Sequence, residues 1–131
     1  MNLSKNFTLN EFLRSDTASR YKIDNKPNEE QLDNLSFVAE QLEIIRSYYN
    51  KPIFISSGFR TKELNTLLKG SKTSQHMQGL AVDINLKTKD ENKIFFNHSI
   101  KIFIKLFIFH KKTGSASPHF PKYSLVAKFP N

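Results

Sequence analysis

Apolar residues recur every three or four positions between residues 28 and 50, and this is the clearest pattern in the chain. The positions are Leu32, Leu35, Val38, Leu42, Ile45 and Tyr49. This spacing places them on one face of a helix. Asn28 is a favourable N-cap residue, and Gln31 at the third helical position completes a capping-box pattern. We predict an amphipathic helix that forms the scaffold of the core.

A shorter helix is predicted near the start of the chain. Thr8 and Glu11 have the spacing of a capping box, in which each side chain satisfies a free backbone N–H at a helix start. We expect this helix to end near Ser15. Residues 17–27 show no helical or strand-like periodicity, and we predict that they form a connector.

The middle of the chain predicts two short strands separated by a loop and a helix. Residues 53–55 are a β-branched and aromatic run suited to a buried strand, and residues 61–68 are predicted to be helical. Residues 80–86 alternate in the manner of a half-buried strand, with Val82, Ile84 and Leu86 on one face. Asp83 then lies on the opposite face, away from the apolar packing.

The composition fits one folded domain. The chain has 131 residues, of which 38% are hydrophobic, and this is enough apolar material for a single core. We therefore predict one domain over residues 1–131. Because the chain has no cysteine, disulfides and thiolate metal sites are excluded, and any metal must be held by histidine and carboxylate groups.

The positive charge is concentrated in the last third of the chain. Residues 1–91 contain 13 Lys and Arg against 12 Asp and Glu, a net charge of +1, whereas residues 92–131 contain 7 Lys and no acid. This tail shows neither a basic helix face nor interleaved aromatic residues that could stack on bases. No apolar run approaches the ~20 residues of a membrane-spanning helix. We therefore expect no nucleic-acid partner and no membrane span.

Two neighbouring motifs carry the candidate chemistry. Residues 74–83 read SQHMQGLAVD, and residues 56–60 read SSGFR. His76 and Asp83 supply an imidazole nitrogen and a carboxylate oxygen, which are two of the ligand types that hold zinc in hydrolytic sites. Taken alone, such a pair is also compatible with a purely structural contact.

Both motifs resemble the zinc D-Ala-D-Ala carboxypeptidases, and most closely the small single-domain members from phages and bacteria. The opening residues 3–12, LSKNFTLNEF, are similar to the same subgroup, so the resemblance covers residues 1 to about 90. It implies an α+β fold of the hedgehog and D-Ala-D-Ala peptidase type. In such a fold, helices pack on one side of a small, mainly antiparallel sheet and the site lies on the other side.

The resemblance also implies a zinc cofactor and roles for individual residues. His76 and Asp83 would be two zinc ligands, and Arg60 would bind the terminal carboxylate of the substrate, since a guanidinium can grip a carboxylate with two hydrogen bonds. Ser74 and Gln75 would line the substrate groove, although Gln75 is equally compatible with a surface position. The implied partner is a peptidoglycan stem peptide, and we expect a monomer.

The third ligand and the general base of the family do not have clear counterparts. In the family they come from a Glu/Asp-x-x-His segment, but no histidine after Asp83 has an acid three positions before it, and no carboxylate follows Glu91. His119 is the best-placed candidate for the third ligand by its distance along the chain. An exposed loop histidine is the alternative interpretation at that position.

Three explanations for residues 91–131 stay open at this point. The segment is a diverged tail, the remnant of a degenerate enzyme, or the product of a disrupted reading frame. The third is suggested by an abrupt shift to Phe, Ile, Lys and Asn with no acid, as misread AT-rich codons would give. In each case we expect this tail to pack poorly against the sheet.

Three function hypotheses follow. The first is a zinc metallopeptidase of the D-Ala-D-Ala carboxypeptidase type. Its activity would be impaired in this sequence, because the general base of the family has no clear counterpart. The second is a non-catalytic domain that binds peptidoglycan or metal. The third is a basic interaction protein that uses its cationic tail. Residues 1–5 lack the apolar core of a signal peptide, so we expect synthesis in the cytoplasm and action on the cell wall after export or release.

Overall fold

The computed structural model describes residues 1–85 and 126–128 of the chain. The helices are α1 (Leu9–Leu13), α2 (Asp16–Arg20), α3 (Glu29–Tyr49) and α4 (Lys62–Leu67), and Gln75–Gln78 form a 3₁₀ turn. The strands are β1 (Phe54–Ser57), β2 (Ala81–Asn85) and β3 (Val126–Lys128). Helices and a small sheet occur together in the described residues, which confirms the predicted α+β class.

The three strands form one sheet in the order β1-β2-β3. Strands β1 and β2 are antiparallel, as predicted, and pair Ile55 with Ile84 and Ser57 with Asp83. Strand β3 runs parallel to β2, so the described sheet is mixed. The β1–β2 register shifts between Ile55 and Ser57, which is the signature of a β-bulge.

Helix α3 and one face of the sheet form the core. The helix contributes Leu35, Val38, Ala39, Leu42 and Ile45, and the sheet side contributes Ile53, Ile55, Val82 and Ile84. The predicted amphipathic helix is therefore confirmed, with its Asn28 and Gln31 capping box formed in both directions. The alternation predicted for β2 holds at residues 82–84, because Val82 and Ile84 are buried while Asp83 is partly exposed. Ala81, on the same predicted face as Asp83, is buried as well, and Leu86 lies outside the described residues.

The predicted first helix forms α1 and brings an aromatic side chain to the core. The carboxylate of Glu11 accepts hydrogen bonds from the Thr8 main-chain N–H at 2.6 Å and from its hydroxyl at 2.8 Å. The Glu11 half of the predicted capping box is thus in place. Phe12 is fully buried and contacts Phe7 edge to ring at 6.3 Å between centroids.

One expectation about an irregular segment needs correction, and a second can be compared with the structure only in part. Residues 17–27 are not wholly a connector, since α2 covers Asp16–Arg20. The hydroxyl of Ser15 caps this helix by accepting from the Ala18 N–H at 3.1 Å, but only Ala18 is buried, and one buried residue gives no periodicity to detect. The tail is expected to pack poorly against the sheet; of this tail the structure describes residues 126–128, which pair with β2. The rest of that expectation concerns residues outside the described ranges.

Within residues 1–85 and 126–128, no helix is both long and apolar enough to cross a bilayer.

Candidate metal and substrate site

The turn that carries His76 is fixed to helix α3. Two consecutive main-chain carbonyls in the second half of the turn accept hydrogen bonds from α3. Gln31 Nε2 donates to the Met77 oxygen at 2.9 Å, and Asn34 Nδ2 donates to the Gln78 oxygen at 2.8 Å. The turn ends at Gly79, whose φ of 75° is left-handed, and a Cβ there would lie 2.7 Å from the Gln31 carbonyl oxygen. Glycine is therefore required by this conformation and by the close approach of α3.

The imidazole of His76 is oriented by a main-chain carbonyl from the other motif. Its Nδ1 lies 2.7 Å from the Gly58 oxygen, and the ring is largely buried. A carbonyl oxygen can only accept, so Nδ1 must carry the proton and donate it. In the neutral imidazole, Nε2 then keeps its lone pair, which is the arrangement found in metal-binding histidines whose other nitrogen is held by a carbonyl.

Asp83 faces the free nitrogen of this ring. The His76 Nε2 atom and the Asp83 Oδ2 atom are 3.5 Å apart. A charge-assisted hydrogen bond is shorter, at about 2.7–2.9 Å. Two tetrahedral zinc ligands with bonds of about 2.0–2.2 Å lie roughly 3.4 Å from each other. The spacing of the pair therefore matches two ligands of one ion better than a direct hydrogen bond.

The second carboxylate oxygen of Asp83 supports the same interpretation. Oδ1 is buried and has no hydrogen-bond partner among the described residues, and such a group is costly unless something binds it. A cation held by His76 and Asp83 would satisfy this requirement. The residues present therefore fit a zinc ion as two of its ligands.

A third protein ligand does not come from the described part of the chain. Among residues 1–85 and 126–128, no group of three His, Cys, Asp or Glu side chains could hold a metal. His119, the candidate from the sequence, lies outside these ranges, so its role stays a prediction.

Arg60 lies beside this pair. Its Nη2 atom is 3.9 Å from Asp83 Oδ2, and its main-chain N–H donates to the His76 carbonyl at 3.1 Å. The loop around it is held by Asn25, whose amide donates to the Phe59 oxygen at 2.9 Å and accepts from the Thr61 N–H at 2.9 Å. The structure thus brings together three of the residues singled out from the sequence: His76, Asp83 and Arg60.

Ser74 and Gln75 begin the 3₁₀ turn next to the pair. The hydroxyl of Ser74 accepts from the His76 N–H at 3.3 Å, so it has a structural use at the start of the turn. The Oε1 atom of Gln75 is buried without a partner among the described residues. No contact among the described residues tests the groove-lining role predicted for either residue.

Sequence reasoning missed the residues that position the site. Gln31 is recognised in the sequence only as a capping residue, and Asn25 belongs to no pattern. The contact of Gln31 with the turn joins residues 46 positions apart, and those of Asn25 join residues 34 and 36 positions apart. Ser57 accepts hydrogen bonds from Arg60 Nε at 3.3 Å and Nη2 at 3.1 Å, and this contact depends on a bulge that no sequence pattern indicates. Gly58 was noticed only as part of a motif, although its carbonyl orients His76.

Comparison with known proteins gives one match. Residues 5–108 match the family model described as Peptidase M15, which covers more than half of the chain and reaches beyond the boundary near residue 90 drawn from the motifs. Searches of curated proteins and of solved structures returned no match.

Proposed function

Because this chain belongs to the peptidase M15 family, the family of zinc D-Ala-D-Ala carboxypeptidases, we propose that it is a zinc-binding, metallopeptidase-type domain for peptidoglycan stem peptides. The peptides in question end in D-Ala-D-Ala. The hedgehog-type arrangement of the fold is part of the same proposal. We also propose that a chain with this sequence hydrolyses these peptides slowly or not at all.

One observation carries the proposal more than any other. The His76 ring has Nδ1 committed to the Gly58 carbonyl, and its Nε2 lies 3.5 Å from an Asp83 carboxylate whose other oxygen is buried and unpartnered. A structural ion pair would be expected to close to hydrogen-bond distance and to satisfy both oxygens. A cation between the two groups accounts for both departures.

Each residue of the site has a defined part in this proposal. When bound, zinc supplies Lewis-acid chemistry for cleavage of a peptide bond. His76 and Asp83 hold the ion, and Arg60, with a guanidinium 3.9 Å from Asp83, binds the terminal carboxylate of the peptide with paired hydrogen bonds. Ser74 and Gln75, which begin the turn that carries His76, line the groove for the peptide.

The proposed impairment follows from the acids available. General-base catalysis by a positioned side chain contributes about 10²–10⁴ in rate, and no carboxylate follows Glu91 in the sequence. Asp90 and Glu91, the last acids, lie outside the described residues. A domain that binds peptidoglycan peptides or zinc without cleaving them is therefore the second candidate function.

Release of D-Ala distinguishes the two candidates. The purified protein is incubated with a stem peptide ending in D-Ala-D-Ala, with and without a chelator, and compared with Arg60→Ala. We expect very slow release or none, together with measurable binding of the peptide that Arg60→Ala weakens. Robust, chelator-sensitive release would show an intact enzyme with a general base beyond the described ranges. Absence of both binding and release would contradict the proposed function.

The cellular setting is also a proposal. We expect a monomer with no nucleic-acid partner that acts on the cell wall after export or release. These expectations are consistent with a peptidoglycan peptide as partner. Salt-dependent retention on immobilised nucleic acid would contradict this and favour a basic interaction protein.

A further inference from the structure

We propose that Ser57 is a positioning residue for Arg60: its hydroxyl holds one edge of the guanidinium so that another edge is presented to the carboxylate of a peptide. This inference rests on the proposed function, since it concerns the arginine of the same site. It adds a specific residue that governs substrate affinity without touching the substrate itself.

The bulge in β1 brings Ser57 to the site. Ile55 pairs with Ile84, and the next pair joins Ser57 with Asp83, so Ser56 is the extra residue between them. Without the bulge, strict alternation would place Ser57 on the same face as the buried Ile55. Bulges next to active sites are known to redirect a side chain in this way. The bulge therefore places the Ser57 hydroxyl beside Asp83 and not in the core.

The hydroxyl of Ser57 binds the side edge of the Arg60 guanidinium, the edge formed by Nε and Nη2. Its Oγ accepts hydrogen bonds from Arg60 Nε at 3.3 Å and from Nη2 at 3.1 Å. Within the described residues, the Arg60 side chain makes one other polar contact, in which Nη2 lies 3.9 Å from Asp83 Oδ2. No described residue hydrogen-bonds the end edge across Nη1 and Nη2, and a guanidinium edge of this kind binds a carboxylate through two parallel N–H donors.

The backbone around Arg60 does not depend on Ser57. The Arg60 N–H is bonded to the His76 carbonyl, and Asn25 holds the residues on both sides. Removing the Ser57 hydroxyl should therefore release the guanidinium while the loop stays in place. The arginine would then have to be ordered at the moment of binding, and the lost rotamer freedom would weaken affinity.

Titration with acetyl-D-Ala-D-Ala tests this assignment by calorimetry in the presence of zinc. Ser57→Ala should weaken binding by up to about tenfold, the cost of immobilising one flexible side chain at the moment of binding. Ser57→Thr, which keeps the hydroxyl, should restore most of the affinity. Zinc affinity should be the same in all three proteins. Ser56→Ala is the matched control, because the Ser56 hydroxyl donates to the Asp83 main-chain oxygen at 3.1 Å and does not contact Arg60.

A second measurement does not require the dipeptide. Hydrogen exchange at the Arg60 Nε–H, followed by NMR, should be faster in Ser57→Ala than in the wild type and unchanged in Ser56→Ala. Equal dipeptide affinity in wild type and Ser57→Ala, with loss of binding in Arg60→Ala, would overturn the inference and leave the proposed function intact. No binding by the wild type would overturn the proposed function itself, and the inference with it.

Discussion

The Nδ1 atom of His76 lies 2.7 Å from the carbonyl oxygen of Gly58, and this contact joins the two motifs of the site. Gly58 is itself fixed against α1, because a Cβ at this position would lie 2.4 Å from the Phe12 carbonyl oxygen. The Phe59 N–H donates to that same oxygen at 2.8 Å. The orientation of the candidate metal ligand is therefore set by a chain of main-chain contacts that begins in the core.

The tautomer of His76 is the first testable consequence. In its neutral form, the ring should carry its proton on Nδ1, and zinc should then perturb the Nε2 resonance more than the Nδ1 resonance. Nitrogen-15 NMR of the imidazole measures both resonances. The resonances of His110, which lies outside both motifs, provide an internal comparison. A neutral ring protonated on Nε2 would be incompatible with the Gly58 contact.

Gly79→Ala should destabilise the protein by about 1–3 kcal/mol, because an alanine would be strained at a positive φ and would meet the Gln31 carbonyl. Chemical denaturation measures the change. Lys69→Gly provides the opposite control. Lys69 also has a left-handed φ, of 57°, so glycine there should be neutral or stabilising by up to about 1 kcal/mol. A tolerated Gly79→Ala would show that the turn is not pressed against α3.

Glu43 should make stability depend on pH. Burial acts to raise the pKa of Glu43, but hydrogen bonds from Asn6 and Ser4, with Arg46 nearby, outweigh it and hold the pKa below its ordinary value. A carboxyl group with a lowered pKa stabilises the fold at neutral pH, and this contribution is lost as the pH falls through the folded-state pKa.

The comparison of Glu43→Gln with the wild type checks this by thermal denaturation from about pH 6 to pH 3. The variant should be less stable at the upper end, and the difference should shrink as the solution is acidified. Glu40→Gln, at an exposed position of the same helix, is the control and should change little. A constant difference across the range would argue against the contact between Glu43 and the N-terminal segment.

The inward face of α3 should be far more sensitive than the outward face. Leu42 is fully buried, whereas Ile44 is 42% exposed. Leu42→Ala should cost about 2–5 kcal/mol, and Ile44→Ala should stay within about 0.5 kcal/mol. Urea denaturation of the two variants measures the difference. Similar losses at both positions would mean that α3 buries a different face.

The parts of the fold with strong local signals could be predicted from the sequence. The periodicity of α3 is a repeated pattern set by burial and is seen in the structure, as is the alternation of β2 at Val82, Asp83 and Ile84. Helix α2 was missed because it buries only Ala18. The parallel pairing of β3 with β2 is a long-range choice that local composition does not encode.

For the site, as for the fold, the residue types could be predicted from the sequence but their geometry could not. His76, Asp83 and Arg60 could be selected because their chemistry and spacing are visible in the chain. The contacts that orient them could not, since the Gly58 carbonyl is a main-chain group and Ser57 reaches Arg60 only because of a bulge. Asn25, which braces the loop from 34 and 36 positions away, carries no motif of its own.

The most direct test of the central claim is the zinc content of the protein at a controlled free-zinc concentration. Elemental analysis after dialysis compares the wild type with His76→Ala and Asp83→Asn, and His110→Ala, outside both motifs, controls for the loss of any histidine. His119→Ala, measured in the same series, tests the predicted third ligand. We predict zinc in the wild type and in His110→Ala, and loss of most of it in His76→Ala and Asp83→Asn. Equal zinc content in the wild type and in His76→Ala would contradict the assignment of this pair as a metal site.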